Sequence, residues 1–305
     1  MTAEARAASW RLTLSATLFG TMAVLAKTVA RDVSGAEAAV VRFATGAVVV
    51  GALWATGRIT LRPRRWGWLF ARGLFGGTAV LAYFAAIQRI PVGEATLLNY
   101  TQPVFTMLFA WLLLGERPLT RALVALPVTL VGVALIVGIR VADLRGGVGE
   151  LFGLSSAVLS GVAVTAIRAS RRHDADGTPG ESAWTVFTSF TLIGLVVSAP
   201  TVLPPFGHWI APTALQWALL LTVGATSVVA QMILTEALKH VRVDTAGVVS
   251  QLAAAVAIGG GALFLGETPS PGFLGGAVIT LAGVALVVMG GNPRFRRAEK
   301  NLARR

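Results

Sequence analysis

Ten apolar runs of about 20 residues, separated by short polar turns, restrict this chain more than any other feature. Hydrocarbon offers no water to an unpaired peptide group, so a single-segment run must satisfy its own backbone and becomes a helix. The runs fall at 10–29, 36–55, 67–88, 92–114, 120–139, 150–169, 184–201, 215–238, 245–265 and 271–289. With 55% hydrophobic and 13% charged residues, and a mean hydropathy of +0.72, too few polar side chains remain to coat a water-soluble globule. The sequence predicts an all-α integral membrane protein with ten transmembrane helices, its chief surroundings the lipid bilayer.

The formal charge of +12 could be read as a nucleic-acid signal, but the basic residues lie in turns and in the tail from Arg294 to Arg305. Their asymmetry follows the positive-inside rule instead. With the N-terminus inside, the inner segments hold 19 Lys and Arg against 5 in the outer ones, and Arg42 and Arg72 lie within runs. Both termini are expected in the cytoplasm of a bacterial inner membrane, with no nucleic-acid partner. Lys27, Arg31 and Asp32 follow the first run without a small-residue cleavage site, so that run is expected to stay as a span rather than leave as a signal peptide.

The absence of cysteine excludes disulfides and thiolate metal sites. His173, His208 and His240 are peripheral, and no nucleophile, paired acid or phosphate loop marks catalysis. No cofactor, metal or enzymatic activity is expected. All fourteen acids are placed at run ends or in turns, so a proton-carrying carboxylate inside the membrane is not expected either.

One phrase occurs twice. Leu114-Gly115-Glu116-Arg117-Pro118, followed by the apolar run Val131 to Val137, returns 151 positions later as Leu265-Gly266-Glu267-Thr268-Pro269, followed by Ala282 to Val288. Across this register 13 of 26 positions are identical, more than a shared apolar composition readily produces. The chain is therefore divided into a first five-helix repeat at 1–145, a second at 146–291 and a basic cytoplasmic tail at 292–305. Five is odd, so the second repeat enters the membrane the opposite way round, and the two related halves imply a site where they meet. Glu116 and Glu267 are expected to cap the helix that follows each turn.

Polar residues within the runs mark that site. The fourth run is the most polar at its centre, with Asn99, Tyr100, Thr101 and Gln102 before Pro103, whose missing N–H breaks the helix ladder. Its counterpart in the ninth run carries Ser250 and Gln251, then Gly259, Gly260 and Gly261. Thr17 and Thr21 in the first run, Tyr83 in the third, Ser160 in the sixth, and Ser227 and Gln231 in the eighth complete the expected cavity lining. Pro103, Gly259 and Gly260 are the expected hinges, and Arg42 the buried charge that must pair, snorkel or meet an aqueous cavity. The seventh run reads as lipid-facing filler.

Ten spans in two repeats, a Gly-Glu-x-Pro turn after the fourth and ninth, a G-V-A-L-x-V run after each, and Arg42-Phe43 in the second span together resemble the EamA-type drug/metabolite transporter superfamily. The resemblance covers nearly the whole chain. It implies alternating access, a cavity formed by spans one, three, four, six, eight and nine, and export of small metabolites, with amino acids first among them. A neutral polar cavity working by facilitated diffusion or exchange is the expected mechanism, with a proton-coupled drug or amine exporter as the alternative and a channel or scaffold as the more distant one. Nothing in the sequence specifies the oligomeric state.

Overall fold

A computed structural model of the protein describes residues 3–115, 147–172, 179–237 and 250–289, with isolated positions between 124 and 135. Every regular element among them is helical: α1 (Ala3–Val29), α2 (Gly35–Ala55), α3 (Trp66–Arg89), α4 (Val92–Asn99), α5 (Gln102–Leu114), α6 (Val148–Arg171), α7 (Ala183–Ser198), α8 (Ala214–Ala237), α9 (Leu252–Leu265) and α10 (Pro271–Met289). Seven described segments are long and apolar enough to cross a bilayer, and α4 with α5 forms one of them, Val92–Leu114. The limits of six of them lie within about two residues of the runs read from sequence, and the remaining one, Ala214–Leu234, ends four residues before its run at 215–238. The fifth expected span, the basic tail, and the turn carrying Glu116 lie outside the described residues.

Helix ends follow local chemistry. Ser34 opens α2 with a reciprocal capping box: its hydroxyl accepts from Glu37 N, and the Glu37 carboxylate accepts from Ser34 N. Ser182 caps α7 by accepting from Thr185 N. Helices α5 and α9 stop on Gly115 and Gly266, at φ 67° and 68°, a left-handed conformation that glycine alone takes without a side-chain penalty. The duplicated Gly-Glu phrase thus begins with a duplicated stop.

The helices pack reciprocally. Helix α3 lies most extensively on α6 and also on α7; α1 lies on α8 and α9; α2 lies on α8 and α7; α4 contacts both α6 and α9. Where α3 crosses α7 the backbones nearly touch, because a Cβ on Gly77 would stand 2.7 Å from the Gly194 Cα. Helix α7 is therefore not filler facing lipid. Its Phe187, Phe190, Thr191 and Gly194 are buried against α2 and α3, and the uninterrupted apolarity of the run concealed which face did so.

Candidate functional site

The break between α4 and α5 begins the site. Pro103 has no N–H to give Asn99, and the Val104 N–H turns to Thr101 O at 3.0 Å rather than to Tyr100 O. The Tyr100 carbonyl, released from the helix ladder, accepts from Gln251 Nε2 at 3.3 Å. Those two residues are 151 positions apart, the register of the sequence repeat. Gln251 Oε1 is buried without a hydrogen-bond partner among the described residues. Beside them, Asn99 Nδ2 donates to Ser156 Oγ on α6 at 2.8 Å.

Tyr83 on α3 is buried, and its hydroxyl lies 2.8 Å from Thr96 Oγ1. The Thr96 hydroxyl gives its one proton to Val92 O at 2.7 Å, so Tyr83 is the donor in that pair. This leaves the phenolic oxygen free to accept.

Arg42, 9% exposed, donates from Nε to Ser227 Oγ on α8 at 2.5 Å. Its guanidinium carbon lies 5.6, 6.0 and 5.7 Å from the ring centres of Phe43, Phe84 and Phe190, a cation held among aromatic faces. A second arginine meets the same ring: Arg72 on α3, 8% exposed, stacks 3.8 Å from the Phe190 centre. Arg72 Nε is buried with no hydrogen-bond partner among the described residues. Gly76, one turn along α3, leaves the space its guanidinium occupies, since a Cβ there would strike Arg72 and the edge of Phe190.

The structure brings Arg42 to Ser227 and Tyr100 to Gln251, and sets Tyr83 and Asn99 beside them. Other expected residues lie differently. Thr17 bonds back to Thr13 O within α1, and Thr21 is exposed. Gln102, Ser160, Gln231 and Ser250 are half-buried. Gly259 faces open space, whereas Gly260 is pressed against Val24 of α1. Thr96, Ser156, Arg72 and Phe190 went unselected by the sequence reading. For Arg72 a signal existed, an arginine inside an apolar run followed by Gly73, Gly76 and Gly77.

Buried acids stand elsewhere. Glu37, fully buried at the start of α2, also accepts from Ile210 N at 2.6 Å, holding the segment that leads into α8. Glu181 accepts from the backbone N–H groups of Arg64 and Arg65, both at 2.6 Å, where α3 begins. Glu267 accepts from Val92 N at 2.9 and 3.1 Å. It caps α4, from the first half of the chain, and not the helix that follows it. A turn sequence discloses the capping carboxylate but not the amide it reaches across the fold.

The EamA-like transporter family matches this chain twice, over residues 9–138 and 147–289. The chain belongs to that family. It is 30% identical over 276 residues to the pseudopaline exporter CntI of Pseudomonas aeruginosa, covering 90% of this chain and 93% of that one. It is likewise 30% identical to an uncharacterized transporter of Archaeoglobus fulgidus, covering 90% and 94%. Human solute carrier family 35 member G1 is 27% identical, covering 70% of this chain and 60% of its own length. One crystal structure of a protein superposes with a TM-score of 0.62 at 22% identity, covering 93% and 97%, and so shares the fold. This is a membrane transporter, as the resemblance in the sequence implied.

Proposed function

We propose that the protein exports small metabolites, amino acids first, across a bacterial inner membrane by alternating access between two inverted five-helix repeats, with both termini cytoplasmic. The observation that carries this reading is the contact between Gln251 and the Tyr100 carbonyl. Residues equivalent under the repeat meet only on or near the axis relating the halves, and there α4 is broken and a carbonyl freed. Two further observations support it: the family matches the chain in two successive stretches, and the packing is reciprocal, α3 on α6 answering α1 on α8 and α5 on α6 answering α1 on α9. Kinship with an exporter favours outward transport.

The groups around the break, Asn99, Tyr100, Gln102, Tyr83, Gln251 and the hydroxyl of Ser227, can hydrogen-bond an ammonium or a carboxylate without titrating. The neutral cavity expected from sequence is amended by Arg42, whose fixed charge stands beside them and suits a carboxylate. Pro103, with Gly259 and Gly260, supplies the bending points, and transport runs as facilitated diffusion or exchange. Proton coupling is the second reading. It rests on Glu150, buried in the first turn of α6 with Oε2 lacking a hydrogen-bond partner among the described residues.

Counterflow in proteoliposomes tests the proposal. Preloaded unlabelled amino acid should accelerate labelled uptake, with saturation, and with no response to an imposed pH gradient. Uphill flux driven by protons alone, abolished in Glu150→Gln, would transfer the case to the second reading. Flux that neither saturates nor responds to preloading would indicate a channel.

A further inference from the structure

Two buried arginines of the interior, Arg42 and Arg72, converge on one aromatic ring, and neither forms an ion pair with a carboxylate among the described residues. An isolated guanidinium taken out of water is strongly destabilised unless an opposite charge or a full set of acceptors replaces its hydration. Here Arg42 has a single side-chain acceptor, Ser227 Oγ, and Arg72 rests on the face of Phe190 with its Nε unsatisfied. Ring faces hold a cation in place without using its N–H groups, which leaves the planar forks available. Of the buried acids, Glu37 and Glu181 are engaged by backbone amides at the helix starts, and Glu150, in the first turn of α6, forms no ion pair with either arginine among the described residues. Gly76 keeps the room that Arg72 needs.

We propose that Arg42 and Arg72 form a two-cation site, organised by the Phe190 ring, that binds the two negative charges of a dicarboxylate substrate. Resting on the transport reading above, it narrows the substrate from zwitterionic amino acids to compounds with two carboxylates, amino acids with acidic side chains among them. A carboxylate matches the flat guanidinium fork with two parallel hydrogen bonds. A zwitterion brings only one compensating charge to a site that carries two.

The test is ligand binding to the purified full-length protein, by thermal shift and by inhibition of counterflow, with succinate, glutamate, leucine and inorganic phosphate as probes. Succinate and glutamate should bind about tenfold or more tightly than leucine, and Arg42→Gln or Arg72→Gln should each reduce succinate affinity by about tenfold, a larger loss than leucine suffers, so that the preference for two carboxylates narrows. Should a glutamine variant fail to fold, Arg42→Lys and Arg72→Lys carry the test: they keep the charge, lose the fork, and should weaken succinate by about threefold to tenfold. Equal affinity for succinate and leucine, or glutamine or lysine variants with wild-type succinate affinity, would overturn the proposal. Phosphate competing as well as succinate would overturn its carboxylate preference. Leucine counterflow without succinate binding would remove this site and leave the transport reading, whereas succinate binding without flux of any probe would do the reverse.

Discussion

The buried acids and the buried arginines of this molecule live in different places and are treated differently. Of the buried acids, Glu37 and Glu181, together with the half-buried Glu267, stand at helix ends, each accepting backbone N–H groups from a chain segment distant in sequence, and Glu150 lies in the first turn of α6. Arg42 and Arg72 stand within helices and meet aromatic rings, one hydroxyl and no acid among the described residues. The acids tie helix to helix; the arginines carry an unbalanced charge that a packed scaffold does not need. That difference separates what holds the protein together from what the proposed site would offer a ligand. It also means that substitutions at the two sets should fail in opposite ways.

Glu37→Ala should have the largest effect. It removes the capping partner of Ser34 and the acceptor of Ile210 N together, so α2 loses its start and the approach to α8 loses its anchor. A loss of about 2–4 kcal/mol is expected, read as a large fall in melting temperature or in the monodisperse yield from detergent. Glu267→Ala should follow, at about 1–3 kcal/mol, because only the buried Val92 N–H is left without its partner. If either variant melted like the wild type but failed to transport, these carboxylates would belong with the working groups and the contrast would break.

Much of this division was legible in the sequence, and what was hidden has a physical reason. Run length and charge located six of the seven described spans to within about two residues, since hydrocarbon thickness sets helix length directly. Pro103 announced the break between α4 and α5, and Gly115 and Gly266 announced the stops, because each acts through its own backbone. Partners across the fold were not legible: the reach of Glu267 to Val92 joins residues 175 positions apart, with no local signature. Hydroxyls were ambiguous for a related reason. Thr17 bonds within its own helix while Thr96 receives Tyr83, and nothing adjacent in the chain distinguishes the two. The buried face of α7 was hidden because lipid and protein interior favour the same residues.

Arg42→Met sharpens the contrast from the other side. Replacing a buried cation that lacks an acid by an apolar side chain of similar length should be neutral to mildly stabilising. Flux in proteoliposomes should nonetheless drop by about tenfold, the loss of one charge-assisted hydrogen bond to substrate. A destabilisation as large as that of Glu37→Ala, with residual flux unchanged per folded molecule, would make Arg42 another structural tie.

Gln251→Leu should have the smallest effect and tests the axis itself. Its Nε2 makes one long hydrogen bond to the Tyr100 carbonyl, at 3.3 Å, and its Oε1 has no partner among the described residues, so the native state loses little, about 0.5–1 kcal/mol. The released carbonyl remains beside the break at Pro103. Under the proposed alternating access, however, the amide links equivalent points of the two proposed repeats, and removing it should alter the balance between inward-open and outward-open forms. A twofold to fivefold change in counterflow rate is expected, about 0.4–1 kcal/mol at 1.4 kcal/mol per factor of ten, with substrate affinity nearly unchanged. If affinity fell and the rate at saturation held, Gln251 would contact substrate, and the break would serve as a binding site more than as a joint.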